Sequence, residues 1–439
     1  MHRHSDTPSL PEVLEAAAAM LMGEATAQGP SADLLARLDY LSGPEELAPH
    51  RTALLRAAAR FVRLFSLPAP DSPRLVALGA ELDPAIIGVQ NMPLAGVSGT
   101  GLTFRQAFES CVGEGVEYLS QFASADDVIE RLTPAEALSD AAPASRTLWE
   151  QLAPYRSNHG EAPINWTIAA SLADGTPVRV PADMCFRRAA AARDFIPPWP
   201  LSIGCGAASD HLSATLHGLF ELIERDALAH WWRGGRRARL APGDAGAVVL
   251  ARLRGGDSPR RTWLLDITND VRVPVAVAVS CTDSGFGFCC GHAARPSFQV
   301  AAEAAVREMA QMEIAYRVSA AKRADQGESA LNETDREHLR RFAEVDVMRT
   351  PALQPLAPPA PPCDLPIDNP LDTLLEVRKR LDALGLAPWV LNLTRAMFGI
   401  PVVRVICPGL EPGMTSPPGP RLRALAEASG VDPANVIPL

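Results

Sequence analysis

The chain has 439 residues, 47% of them hydrophobic, which is enough apolar material for a large core or for two to three domains. Its net charge of -10 argues against a nucleic-acid backbone or an anionic membrane as the main partner. No charge-free apolar run approaches the roughly 18 residues of a membrane span, the acid-flanked N-terminal alanine run lacks a basic lead, and the eight cysteines contain no CxxC pair, so a cytoplasmic protein with free thiols is expected.

Residues 11–66 carry helical periodicity in three segments: Val13 to Met22, Ala32 to Leu41, and Arg51 to Phe65, the last with Leu54, Leu55, Ala58, Val62 and Phe65 on one stripe. Pro68 and Pro70 close this region. It is expected to be a helical N-terminal appendage, residues 1–80, that packs on the body or mediates dimerisation. From Gly96 a turn at Gly99 and Gly101 is expected to open a helix capped by Thr103. Its apolar stripe is Phe104, Phe108, Cys111, Gly115, Leu119 and Phe122, and Ser110, Glu114 and Glu117 share another face. Two strands are expected around the turn Asp174-Gly175.

The stretch from Leu201 to Trp232 repeats this design. A Gly-Ala-rich turn (Gly204, Gly206, Ala207, Ala208) leads to the helix caps Ser209 and Asp210, then to a helix with Leu212, Leu216, Leu219, Phe220, Ile223, Ala227 and Trp231 on one stripe. Glu221, Glu224 and Arg225 lie at i, i+3 and i+4 on a different face, so both carboxylates can point at one centre. A third Gly-to-helix transition, Cys290-Gly291-His292, precedes a helix on which Glu308 and Gln311 share a face and Glu303 and Arg307 read as a solvated pair.

An internal repeat flanks that helix. Trp263 to Thr268 followed by Val273 to Val279 recurs as Trp389 to Thr394 followed by Ile400 to Ile406, each copy behind a helical segment (Ala245 to Leu253, Leu371 to Leu384). The strands are β-branched and apolar on both faces, as in sheets covered by helices. The fold class expected is α+β with pseudo-symmetric α-β-β units. Arg404, inside one such strand, reads either as a phosphate contact or as a buried ion pair. A Pro-rich stretch, 351–370, reads as an extended linker within a domain spanning 81–415, and residues 416–439 as a C-terminal tail with a short helix from Pro420 to Ala428.

Together the polar faces offer Glu114, Glu117, Glu221, Glu224, Glu308, Gln311 and Arg225. Hard oxygen ligands in this number suit Mg²⁺ and nucleotide phosphates rather than a soft metal. There is no GxxxxGK[ST] sequence, so phosphates would be held by metal-bearing helices without a P-loop. The plainer reading is three separately solvated faces.

These motifs, together with Ile400 to Arg404 and Cys407 to Leu410, resemble the YcaO family over residues 83 to 415. The resemblance implies an unusual α+β fold that binds ATP and Mg²⁺ and phosphorylates a backbone amide oxygen of a ribosomally made precursor peptide. That activation leads to azolines or thioamides, as in bacteriocin-like natural products. It implies that Glu114, Glu117, Glu221 and Glu224 hold metal, that Ser110, Glu308 and Gln311 complete the nucleotide site, and that Arg225 acts with Glu221 and Glu224 in catalysis. Implied partners are the peptide, a leader-binding or TfuA-like protein, and a second copy in a homodimer, with no nucleic acid and no membrane. Tyr118 stands where the family motif usually has arginine and Thr100 where lysine is common. The ending Val436 to Leu439 lacks the repeated Pro-x-Pro of azoline-forming members. A catalytically weak scaffold that binds a precursor peptide or partner subunit is therefore the second reading, and an unrelated Mg²⁺-dependent ligase of free carboxylic acids the third.

Overall fold

The computed structural model describes residues 8–434 apart from 27, 43, 140–142, 156–160, 257 and 415; the C-terminal residues Val436 to Leu439 lie outside the described residues. The chain opens with helices α1 (Leu10–Leu21), α2 (Gly29–Leu38) and α3 (Ala48–Ala58), then strands β1 (Arg63–Ser66), β2 (Val76–Leu82) and β3 (Ala95–Gly101). Helix α4 (Phe104–Ser120) follows, then β4 (Glu130–Leu132), two short helices α5 (Pro134–Ala137) and α6 (Pro143–Gln151), and strands β5 (Ile164–Ser171), β6 (Pro177–Pro181) and β7 (Cys205–Ala207). The central helix is α7 (His211–Trp232), followed by β8 (Arg239–Leu240), α8 (Ala247–Arg254), β9 (Arg260–Asp266), β10 (Val275–Thr282) and β11 (Cys289–Ala294). The remainder is α9 (Phe298–Gln326), α10 (Glu333–Glu344), α11 (Pro370–Asp382), β12 (Trp389–Asn392), β13 (Val402–Ile406) and α12 (Pro420–Ser429).

The expected mixed fold is present as three antiparallel sheets. They run β1-β2-β3, β11-β10-β9-β8, and β4-β5-β12-β13-β7 with β6 beside β5. Each sheet ends on a strand that feeds a long helix: β3 into α4, β7 into α7, β11 into α9. The helix caps follow the sequence: Thr103 accepts from Gln106 N–H at 3.2 Å and Asp210 from Ser213 N–H at 2.8 Å.

Of the glycines ahead of these helices, Gly204 sits in the expected turn with a φ of 83°, whereas Gly99, Gly101, Gly206 and Gly291 lie within the strands. A Cβ on Gly99 would stand 2.1 Å from Cys111 N, on Gly206 2.4 Å from Ala214 O, and on Gly291 2.1 Å from Met309 N. Each strand therefore lies directly on the backbone of the helix it leads into, which only glycine permits.

The repeated sequence keeps its hydrogen bonding. Asp266 accepts from Thr268 N–H and the Thr268 hydroxyl from Val275 N–H at 3.0 Å; Asn392 accepts from Thr394 N–H and the Thr394 hydroxyl from Val402 N–H at 3.1 Å. The two hairpins, β9-β10 and β12-β13, are antiparallel.

The third N-terminal helix is shorter than its apolar stripe suggests. It ends at Ala58, and the chain then runs as β1, with Val62 N–H bonded to Glu81 O at 2.9 Å and Arg63 paired with Glu81 at 2.7 Å. The alternation of Arg63 to Ser66 suits a strand on β2, and Phe61 fills the space left by Gly115 of α4. Leu14, Leu35, Leu38, Leu54 and Leu55 are buried in the same apolar core as Phe108, Cys111 and Trp166, so these helices pack into the body. The Pro-rich stretch is extended but fastened down. Trp231 and Trp263 donate to Ala352 O and Leu353 O, and Leu365 N–H bonds Pro296 O at 2.7 Å.

Candidate active site

The acids expected to act together sit on α4, α7 and α9, facing the terminal strands of the three sheets. An edge strand carries amides that no neighbouring strand satisfies, and here glutamates take them. Ser98 N–H on β3 stands beside Glu114 and Ala207 N–H on β7 beside Glu117, each opposing the rise in its carboxyl's pKa. Glu221 accepts from Gly204 N–H at 3.0 Å, Glu308 from His292 N–H at 2.8 Å, and Glu224 from Ala294 N–H at 3.3 Å. Three carboxylates are thus hydrogen-bonded to backbone, and Glu114 and Glu117 lie beside strand amides close to them.

Arg225 runs through this group, 3.6 Å from Glu221 and 4.0 Å from Glu224, and its Nε has no hydrogen-bond partner among the described residues. His292 Nδ1 lies 2.7 Å from Glu224 and 3.5 Å from Glu308. Gln311 Nε2 donates to Ser98 Oγ at 2.7 Å, which ties α9 to the strand that also holds Glu114. Arg404 is buried, donates to Leu201 O, and its charge is felt by Glu117 and Glu221. The expected buried ion pair is not formed among the described residues, and the Arg404 Nε has no hydrogen-bond partner there.

Burial dominates the electrostatics. Crowding by surrounding protein pushes the Glu114 carboxyl up to about 7, although the residue is exposed at the cleft. Burial, with Glu221 and Glu114 nearby, raises Glu117 well above the carboxylate range, and burial brings Glu221 to about 7 against the pull of Arg225. Glu224 goes the other way: burial opposes ionisation, but the charge and hydrogen bond of His292 outweigh it and hold it low. His292 is raised in turn, since Glu308 and Glu224 overcome its burial. The site carries more carboxylates than cations, and no three of the glutamates bring oxygens within 4.8 Å of one another. Arg225 Nε lies 4.0 Å from Glu224 and makes no hydrogen bond among the described residues. The donor set fits Mg²⁺.

A cleft of about 1090 Å³ opens beside these acids, lined on one side by Ser110, Glu114 and Glu117 of α4. Helix α7 contributes Ser213 and His217, and residues between Asp39 and Arg51 form another wall. Of the expected site residues, Ser110, Glu114 and Glu117 face the cleft, while Glu221, Glu224, Arg225, Glu308 and Gln311 lie beyond it. Sequence reasoning missed His292 as a site residue, although it follows Gly291 directly. It also missed Ser98 and the N-terminal wall, which no local pattern marks. The expected solvated pair is not formed: Glu303 accepts instead from Gln299 at 2.7 Å.

Among the described residues, one His/Asp triad has ligand atoms within 4.8 Å: Asp226, His230 and Asp270. It is not a vacant metal site, because the Arg421 guanidinium bonds both Asp226 (2.9 Å) and Asp270.

This α+β body, with three sheets each feeding a long helix, has the fold of solved heterocyclases. A heterocyclase in complex with substrate and cofactor matches with a TM-score of 0.62 and 20% identity, over 83% of this chain and 52% of that one. YcaO from Methanopyrus kandleri bound with AMPPCP and Mg²⁺ matches at 0.56 and 20%, over 85% and 89%. The E. coli microcin synthetase McbBCD complex with pro-MccB17 bound matches at 0.56 and 14%, over 79% and 87%. The chain spans about half the length of the first of these. No curated protein sequence matches it. A family model matches residues 98–411, and the chain belongs to that family, the ATP- and Mg²⁺-binding YcaO cyclodehydratases.

Proposed function

We propose that this protein uses ATP and Mg²⁺ to phosphorylate a backbone amide oxygen of a ribosomally synthesised peptide. A substrate Cys, Ser or Thr side chain, or sulfide, then takes the carbonyl carbon, and phosphate leaves to give an azoline or a thioamide. The observation that carries this reading is the set of five glutamates around Arg225, three of them hydrogen-bonded to strand or strand-end backbone, whose carboxyls outnumber the cations beside them. Family membership supports ATP-dependent peptide modification.

In this reading Glu114, Glu117, Glu221 and Glu224 hold Mg²⁺, with Ser110, Glu308 and Gln311 completing the nucleotide site. Bound Mg²⁺ neutralises phosphate charge. The chain's own contribution is orientation. Backbone amides fix Glu221, Glu224 and Glu308, the hydrogen bond of His292 aims Glu224, and Arg225 would supply positive charge to stabilise the phosphoryl transition state. Tyr118, in place of the family arginine, is capped by the Arg187 guanidinium 5.1 Å from its ring centre, so positive charge remains in its vicinity. This favours a working enzyme over the scaffold.

We further propose residues 1–80, 81–415 and 416–439 as functional regions, and a leader-binding or TfuA-like protein and a second copy of the chain as partners. Among the described residues no helix is long and apolar enough to cross a membrane.

The deciding experiment is calorimetric ATP titration of the full chain with Mg²⁺, with EDTA, and with Glu221→Gln plus Glu224→Gln. Binding that requires Mg²⁺ and is lost in the double variant is expected. Failure of the folded parent to bind ATP would sink the catalytic reading.

A further inference from the structure

A second cavity, of about 550 Å³, lies where two apolar cores of the molecule meet. Trp199 packs against the first core, Ile203, Leu222 and Leu410 belong to the second, and all four line the cavity. Its volume falls within the range of about 300–1,000 Å³ typical of sites that enclose an organic ligand. Glu150 and Arg423 line it too and are exposed, so the cavity opens to solvent.

Two polar side chains reach this apolar space without a full set of partners. Arg404 is 1% exposed and its Nε has no hydrogen-bond partner among the described residues, a costly state unless a ligand brings an acceptor. Glu411 is 3% exposed; one carboxyl oxygen accepts from Gly419 N–H at 2.8 Å, and the other accepts no hydrogen bond among the described residues. Burial, and then Asp226, raise this carboxyl to about 7, so near neutrality it can donate as well as accept. A peptide backbone, which offers a carbonyl and an N–H at each residue, satisfies both groups.

The cavity adjoins the acid centre through chain neighbours. Ile203 precedes Gly204, whose N–H bonds Glu221, and Leu222 follows Glu221 on α7. The Glu411 N–H bonds Asp226 at 2.9 Å, and Asp226 follows Arg225. The cavity shares no lining residue with the cleft beside Glu114 and Glu117, so it reaches the acids from a different side.

We propose that this cavity is a peptide subsite that seats a short apolar stretch of the substrate beside the amide to be modified, with Arg404 donating to a peptide carbonyl and Glu411 bonding a peptide N–H. This rests on the peptide-substrate reading above and adds to it a preference for apolar residues next to the modified position.

The test uses the full chain and three probes: N-acetyl-leucyl-phenylalanine amide, N-acetyl-aspartyl-glutamate amide, and ATP with Mg²⁺. The parent is expected to bind the apolar dipeptide about tenfold or more tightly than the acidic one. Trp199→Ala and Leu410→Trp are expected to weaken the apolar dipeptide about tenfold while ATP affinity stays at the parent value. Saturating apolar dipeptide is also expected to slow hydrogen exchange of the parent across residues 405–412, a readout that needs no variant and decides alone if both variants misfold. No binding of the apolar dipeptide, equal binding of the two dipeptides, or unchanged exchange at 405–412 would each overturn the proposal. If ATP still binds in that case, the catalytic reading stands without this subsite; a parent that protects 405–412 but binds no ATP keeps the subsite and loses the catalytic reading.

Discussion

At the residue scale, buried carboxyls decide both chemistry and stability. Glu411 shows this outside the acid site: burial first, and then Asp226, push its carboxyl up to about 7, although it accepts Gly419 N–H at 2.8 Å. The folded protein therefore binds this proton more tightly than the unfolded chain, and stability falls as pH rises between the unfolded value near 4.5 and about 7. Glu411→Gln keeps an acceptor for Gly419 and removes the charge. It is expected to be more stable than the parent by about 1–3 kcal/mol at pH 8, with the difference vanishing near pH 4.5 in denaturant melts. Equal stability of the two proteins at pH 8 would count against the buried-charge account. The residue patterns that sequence could read were those with a local cause. Thr103 and Asp210 were legible as caps because their side chains bond amides three residues on, and the glutamate pairs because 3.6-residue periodicity puts them on one face.

At the element scale, the glycines of β3, β7 and β11 set how closely each strand lies on its helix. The same signal in sequence suggests a turn, since both turns and close approaches require a missing Cβ. Only the helix packed above the strand distinguishes them. Gly291→Ala would drive a methyl into Met309 N and Ala305 O, at 2.1 and 2.3 Å, where backbone has no room to yield. A loss of about 3 kcal/mol or more is expected in chemical denaturation. Gly113, inside α4 with nothing within 4 Å of its added Cβ, is the control. Gly113→Ala is expected to stabilise by about 0.5–1 kcal/mol through the unfolded state and helix propensity. The shortened α3 has a similar explanation. Val62 and Phe65 fit a helical stripe and a strand equally well over so few residues, and pairing with β2 decided the matter.

At the scale of the whole molecule, the C-terminal segment is tied to α7. Arg421 of α12 bonds Asp226 at 2.9 and 3.1 Å, and Arg233, at the C-terminal cap of α7, donates to Gly413 O and Ser416 O. Asp226 is fully buried, directly after Arg225. Arg421→Ala leaves that carboxylate short of its main cation, a change that costs about 3–5 kcal/mol for buried pairs. Faster hydrogen exchange across residues 420–429 is expected, with a lowered melting temperature. Unchanged exchange there would show that α12 is held by its apolar contacts, Leu422 and Ala426, alone.

The sequence by itself determined the helices that carry the acids, their caps, the strand repeat and the family, because each depends on residues close along the chain or on motifs in a set order. Only the tertiary structure decided which faces meet. The pairing of Glu224 with His292 spans 68 residues, the bond from Gln311 to Ser98 spans 213, and the cleft wall at 39–51 stands opposite a helix that begins at Phe104. Such meetings follow from how three sheets end against three helices, and periodicity along one segment holds no information about the face of another.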